Sequence, residues 1–500
     1  MSAVTTPDAG PGGSTRVWGI GAVVVALVAA ASVAAGRAEP VEPPAAVVEP
    51  VQTTRVVCPD PLASSVIATT VSGFVAPGLP GQEGRPGTAA LATSVAAGKA
   101  STVAAISEVG GSVQLVTKGT SLPPVVGTAT GSLAPGFVAD QFTTADQGAA
   151  RGIAGLACAA PGTDSWFVGG GATAGRTTVV TLANPEDDAA QVDVLLYGPK
   201  GPVVAPGGRG VVVPAKAQVR LELARLAPGV AAFAVHVQVR AGRVSAAVND
   251  READGLTAEG TDWVPVTRSP GRELVVPGVP AGVSKVVLSV LAPESDATVG
   301  LRILSPDGGF VPAGSESVDA AAGQLVQVDV TAALSKAAGS LVLRSDTPVV
   351  AGVRYLLPAS DGGGDFAYAA AAPVLTGPAA VSGLSDAGGL GTSLVIASVG
   401  KPSRLTLTTV PATGGAGTSR EVTVPADTTI VAALAPPVAG AVFNVVVTPV
   451  GDGGQVYVAR VSARRTTTAT FVTGYPLAPV RATLVVPQAS ADLAAALPVD

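Results

Sequence analysis

His236 is the only histidine among 500 residues, so any mechanism or metal site built on two imidazoles is excluded. It stands where Phe233, Val235, Val237 and Val239 alternate with Ala234, His236, Gln238 and Arg240, the period-2 pattern of a strand with one buried face. The alternation puts the ring on the outward face, where a sheet histidine needs no chemical role. A general base would need a nucleophile within reach, and no motif supplies one. Ser398-Val-Gly-Lys401 has the spacing of a serine activated by a lysine, but that chemistry sets the two residues one turn apart on a helix. Here the pair ends a β-branched run, Pro402 follows, and the partner motifs S-D-N and K-T-G are absent. Gly98-Lys99 and Gly400-Lys401 lack the upstream glycine of a phosphate-cradling loop.

Carboxylates gather in three loops: Glu186-Asp187-Asp188, Asp250 to Asp254, and Asp361 to Asp365. Calcium takes oxygens from such loops, which makes Asp361 and Asp365 the metal candidates. None fits the twelve-residue calcium loop, and solvated turns are the default reading. No pair stands out as the two acids of glycoside hydrolysis. Trp166, Trp263 and Phe366 recur at intervals near one hundred residues, which points to packing in a repeat, while Tyr197, Tyr355, Tyr457 and Tyr475 remain as scattered rings for sugar stacking. No catalytic residue and no cofactor motif is read, so the expectation is a protein that is not an enzyme. Cys58 and Cys158 are the two cysteines. As an intrachain disulfide in an oxidising compartment they would contribute about 4–5 kcal/mol by the chain-entropy model.

The elements that would carry these residues begin with Val17 to Gly36, an uncharged run of 20 residues, long enough to span a bilayer. It reads as a transmembrane anchor, the alternative being a cleaved signal sequence. Arg16 precedes it and Glu39, Glu42 and Glu49 follow. Positive-inside then places a cytoplasmic tail at 1–16 and the bulk of the chain outside the plasma membrane. Residues 37–54 hold four prolines and read as a semi-rigid stalk. Residues 55–160 read as a β-rich domain closed by the disulfide.

From 161 onward the same order of segments recurs: repeats at 161–261, 262–364 and 365–468, each opened by an aromatic strand, then strands and turns at 469–500. Seven or so short alternating strands per hundred residues read as antiparallel β-sandwiches of immunoglobulin-like type. A β-propeller is the alternative. The fold class is mainly β, and a length of 500 residues allows roughly three or four domains. The formal charge of −6 offers no basic face for nucleic acid, and 47% hydrophobic residues argue against disorder.

Gly155-Leu-Ala-Cys158-Ala-Ala-Pro161, then Asp164-Ser-Trp166-Phe167-Val-Gly-Gly170, resembles the DUF5719 family of uncharacterised actinobacterial envelope proteins. Leu182-Ala-Asn184-Pro185, Ala190-Gln-Val-Asp193 and Tyr197-Gly-Pro strengthen the likeness. It covers most of 17–490 and is sharp over about 150–200. The resemblance implies a membrane-attached or secreted envelope protein and brings no activity. The functional expectation is a non-enzymatic scaffold, adhesion or assembly protein with a protein or cell-wall glycan partner. Binding of wall polysaccharide or peptidoglycan is the alternative, and an acid-dependent hydrolase comes third.

Overall fold

A computed structural model of the chain describes residues 25–26, 45–61, 67–94, 103–118, 122–148, 150–334, 336–358 and 364–488. The expected cytoplasmic tail, nearly all of the expected anchor, and Asp361 fall outside them. Among the described residues no helix is long and apolar enough to cross a membrane. The chain divides into two parts. In one, residues 47–49 pair with residues 484–486 as a two-stranded sheet. The other, Pro50–Thr483, holds everything discussed below.

The fold is mainly β, with many antiparallel sheets and no propeller among the described residues. Alternation drives it. Phe233, Val235 and Val237 are buried to 1% or less, whereas Gln238 faces outward, so one face of the Ala234–Ala241 strand is committed to a core. The Pro-rich stretch has given way to strand by Thr53–Cys58, where β-branched residues pair with Val125–Thr130.

Counting strands along the chain exposes one plan used four times. In unit I, Thr53–Cys58, Val125–Thr130, Ala89–Thr93 and Val103–Ile106 form one sheet, the order first, sixth, third, fourth. Ser112–Lys118, Ile67–Val75, Phe137–Ala145 and Gly152–Ala157 form the other, the order fifth, second, seventh, eighth. Unit IV repeats both orders, from Ala379–Leu384 as first strand to Thr470–Pro476 as eighth. Unit II does so between Asp164–Val168 and Thr257–Val264, with the extra short strands Gly201–Val203 and Val266–Thr267 added to its first sheet. In unit III the sixth and seventh strands are fused into Gly339–Leu356, which pairs with both sheets. Each pair of sheets encloses an apolar cluster to which both contribute.

The region read as a separate N-terminal domain therefore has the same strand order as the rest. The boundaries expected at 262 and 365 also move. Trp166 lies on the first strand of unit II, but Trp263 and Phe366 lie on the eighth strands of units II and III. These rings do not share a repeat position. The first interval runs from the first to the eighth strand of unit II and the second between successive eighth strands, and strands of both kinds face unit boundaries: Trp166 clusters with Leu291 and Val350 of unit III, and Phe366 joins the core cluster of unit II. Thr470–Pro476 pairs with Gln455–Arg465 and completes unit IV.

Candidate functional site

The eighth strands are Gly152–Ala157, Thr257–Val264, Phe366–Ala370 and Thr470–Pro476. Each makes its ladder with the seventh strand of its own unit. Each also packs against the eighth strands of the preceding and following units, and the fourth packs against the first. The four units thus close on themselves around one centre. Close approach there requires glycine: a Cβ on Gly260, whose φ is +131°, would stand 2.7 Å from Oδ1 of Asp365 and 2.8 Å from the Phe366 ring.

Two carboxyls are enclosed at this centre, Asp262 with no exposure and Asp365 with 3%. Thr473 donates its hydroxyl to Asp262 Oδ1 at 2.7 Å and accepts the Gly155 N–H at 2.8 Å, joining units I, II and IV. Asp365 Oδ2 accepts the Val472 N–H at 2.6 Å. Among the described residues, Asp365 Oδ1 and the buried Tyr355 hydroxyl have no hydrogen-bond partner. Burial pushes both carboxyls well above the usual range, and the charge of Asp365 adds to the effect on Asp262. An acid–base pair needs access to substrate and water, and neither group has it.

Two further nodes bolt the units together. Between units II and III, Tyr368 donates to Asp250 Oδ2 at 2.6 Å and accepts from Arg176 Nη2 at 2.8 Å. Arg176 itself pairs with Asp250 at 2.9 Å, and Thr178 donates to the same carboxylate at 2.6 Å. Arg354 pairs with Glu252 beside them. Between units IV and I, Tyr475 donates to Asp140 and accepts from Arg460 Nη1 at 2.7 Å. Ser382 adds its N–H and hydroxyl to Asp140, each at 2.7 Å.

Near this centre, the segments that connect one unit to the next line a cavity of about 470 Å³. Its wall is mostly proline and small residues: Pro59, Pro161, Pro265, Pro373 and Pro476, drawn from all four units. Arg268 and Arg481 line it too and are exposed. The run Gly155 to Pro161 is part of the wall. The volume lies in the range of small-ligand and chain-end sites.

The sequence-derived candidates fare as follows. Cys58 and Cys158 form a disulfide between the end of the first strand of unit I and the residue after its eighth. Asp365 is at the buried centre. Asp361 lies outside the described residues, and among those described no group of three or more His, Cys, Asp or Glu is placed to hold a metal ion. His236 is not the exposed ring the alternation suggested. It stacks on Trp166 with centroids 3.9 Å apart and pairs with Asp164 at 2.6 Å, because the outward face of its strand is covered at the boundary with unit III. Ser398 donates to the Lys401 carbonyl at 2.7 Å, which is a turn contact. Tyr355, Tyr457 and Tyr475 are buried to 5% or less, and Tyr197 is half-buried near Trp166, so these rings offer no open stacking platform. Of the acidic loops, Glu186 pairs with Arg55 and Arg243, and Asp187 with Lys216.

Sequence reasoning missed Asp140, Asp262, Arg176, Tyr368, Arg460 and Thr473, and placed Asp250 in a solvated turn. The available signal was a charged residue inside a strand, as with Asp140 in Phe137–Ala145.

Comparison with known proteins adds one match. The model of a family of unknown function, DUF5719, matches residues 111–437. No curated protein matches the chain.

Proposed function

The chain belongs to the DUF5719 family, and from that premise we propose that it is a non-enzymatic scaffold or assembly protein of the actinobacterial cell envelope. Its four units are tandem sandwiches of one immunoglobulin-like plan, held outside the membrane by the anchor at 17–36. A protein partner docks at the mouth of the central cavity. The observation that carries this reading is the placement of Gly155 to Pro161, a run inside the family match, in the wall of a cavity made jointly by all four units. The reactive side chains support it as well: His236, Ser398 and the buried acids are engaged in packing contacts. The disulfide agrees with an extracytoplasmic address, since such bonds persist in oxidising compartments.

A photo-crosslinking residue placed at Ala157 or Ala478, both exposed in the cavity wall, should yield discrete higher-mass adducts in cells. The same residue at Leu256, fully exposed elsewhere, should not. Equal adducts from all three positions, or none from the cavity, would sink the proposal.

Wall-glycan binding is the second reading. It rests on a cleft of about 370 Å³ between units II and III, lined by Lys285, Ser289, Gln327 and Asp329, side chains suited to sugar hydroxyls. Salt-resistant co-sedimentation with cell-wall sacculi, lost on Gln327→Ala, would move this reading to first place.

A further inference from the structure

A second cleft, of about 490 Å³, lies on the face of unit II turned away from its core. Strands Arg176–Asn184, Ala217–Glu222 and Ser245–Asp254 form its floor, with the short helix Leu223–Leu226 at one side. Register fixes which side chains share this face. Thr177 is opposite Arg251, Val179 is opposite Glu222, and Thr181 is opposite Arg220. Val180, Leu182 and Val248, one position out of phase, point into the core.

Arg220, Arg225 and Arg251 line the cleft with a single carboxylate, Glu222. Arg220 reaches Asp60 at 3.0 Å, and Arg225 Nε holds Glu222 at 2.9 Å. Arg251 is left over. Among the described residues its guanidinium makes no ion pair and no hydrogen bond, and it feels Glu222 only at longer range. It is also half-buried, and that burial lowers its affinity for the proton. A cation removed from water without a partner destabilises the fold unless something compensates it. The free fork of five N–H donors matches the two oxygens of a phosphate or carboxylate, and an arginine serves this better than a lysine would.

We propose that this cleft is an oxyanion-binding site in which Arg251 grips a phosphate or carboxylate group, with Arg225 and the Thr177 hydroxyl beside it. The apolar side chains of Val179 and Leu226 then flank the part of the ligand that carries the anion. The site is separate from the central cavity and independent of the scaffold reading.

The test is the melting temperature of the purified full chain at constant ionic strength. Chloride is replaced stepwise by inorganic phosphate, by glycerol phosphate, or by acetate and succinate. Binding to the native state should raise the midpoint with concentration, and the rise should become logarithmic once the site is filled. Arg251→Gln should abolish the shift while melting no lower than the parent without oxyanion, because the uncompensated charge is gone. Arg251→Lys, which keeps the charge and loses the fork, should weaken the apparent affinity about fivefold or more. Arg272→Gln, at an exposed arginine outside the cleft, should change nothing. A shift with the phosphates alone assigns a phosphate-bearing ligand, and one with the carboxylates assigns a carboxylate. No shift with any of them, or a shift equal in parent and both Arg251 variants, overturns the proposal.

Discussion

Asp262 and Asp365 make stability fall as pH rises, and replacing them should reverse which protein is the more stable. Both are enclosed at the centre of the four units and both hold their protons more tightly than an exposed carboxyl does, chiefly through burial. In the unfolded chain they titrate near about pH 4. Above that value the folded state keeps protons that the unfolded state has released, so unfolding is favoured increasingly with pH until the folded groups also ionise. Each carboxyl then lowers stability by up to about 1.4 kcal/mol per pH unit across that window. Asp140, also raised by burial, adds in the same direction. Asp193, Asp329 and Asp427 are shifted down and act only below the window. Urea midpoints between about pH 5 and about pH 8 at fixed ionic strength should therefore drift downward in the parent. In Asp262→Asn with Asp365→Asn the slope should be visibly shallower, Asp140 supplying what remains. At the acid end the double variant should be less stable by about 1–3 kcal/mol, since the new amides add N–H groups that lack acceptors. At the alkaline end it should overtake the parent. Identical slopes in the two proteins would show that these carboxyls ionise freely and that the centre is wetter than described.

Three other contacts give outcomes of their own. Reduction of Cys58–Cys158, which closes a loop of 100 residues, should cost about 4–5 kcal/mol in the chain-entropy model, and neither cysteine should take up maleimide in the unreduced, denatured protein. Tyr475→Phe removes the hydroxyl between Asp140 and Arg460 and should destabilise by about 1–3 kcal/mol. Tyr368→Phe should cost a similar amount at the opposite boundary, and the two losses should add because they share no partner.

Period 2 was legible wherever one face of a strand meets a core, which is why Phe233 to Val239 could be read correctly from spacing alone. The disulfide was legible because two cysteines allow one pairing. What alternation cannot reveal is whether the other face of a strand meets water or another unit. His236 illustrates it: the ring alternates outward as expected, but outward leads to Trp166 and the boundary with unit III. The same blindness turned Trp263 and Phe366 into markers of first strands. A residue that faces a neighbouring unit is as apolar on the eighth strand as on the first, so recurrence alone could not set the frame. Arg251 was invisible for a related reason. Its meaning lies in the absence of a partner, and partners come from register and tertiary packing.

A chain of four units with one strand order faces a problem of order: apolar faces of similar shape can pair with the wrong neighbour. The polar groups buried at the boundaries differ from one boundary to the next. Asp250, Arg176 and Tyr368 join units II and III, whereas Asp140, Arg460 and Tyr475 join IV and I. Arg302 and Asp427 pair at 3.2 Å between III and IV, and Arg55 and Glu186 at 2.9 Å between I and II. A wrong pairing at the II–III or IV–I boundary would strand a buried charge, at a cost of about 3–5 kcal/mol for each partner lost, whereas the part-exposed pairs at the other two boundaries would lose only about 0–1 kcal/mol. The same principle gives the correct pairing little net stability, since burying ions is itself costly. Specificity and stability should therefore separate on substitution. Arg176→Met, Asp250→Leu and Tyr368→Phe together should leave the urea midpoint unchanged or raised, while refolding from urea yields more aggregate and less monomer than the parent. If the triple variant instead loses several kcal/mol and refolds as cleanly as the parent, the node is a stabilising bolt and the argument from order fails.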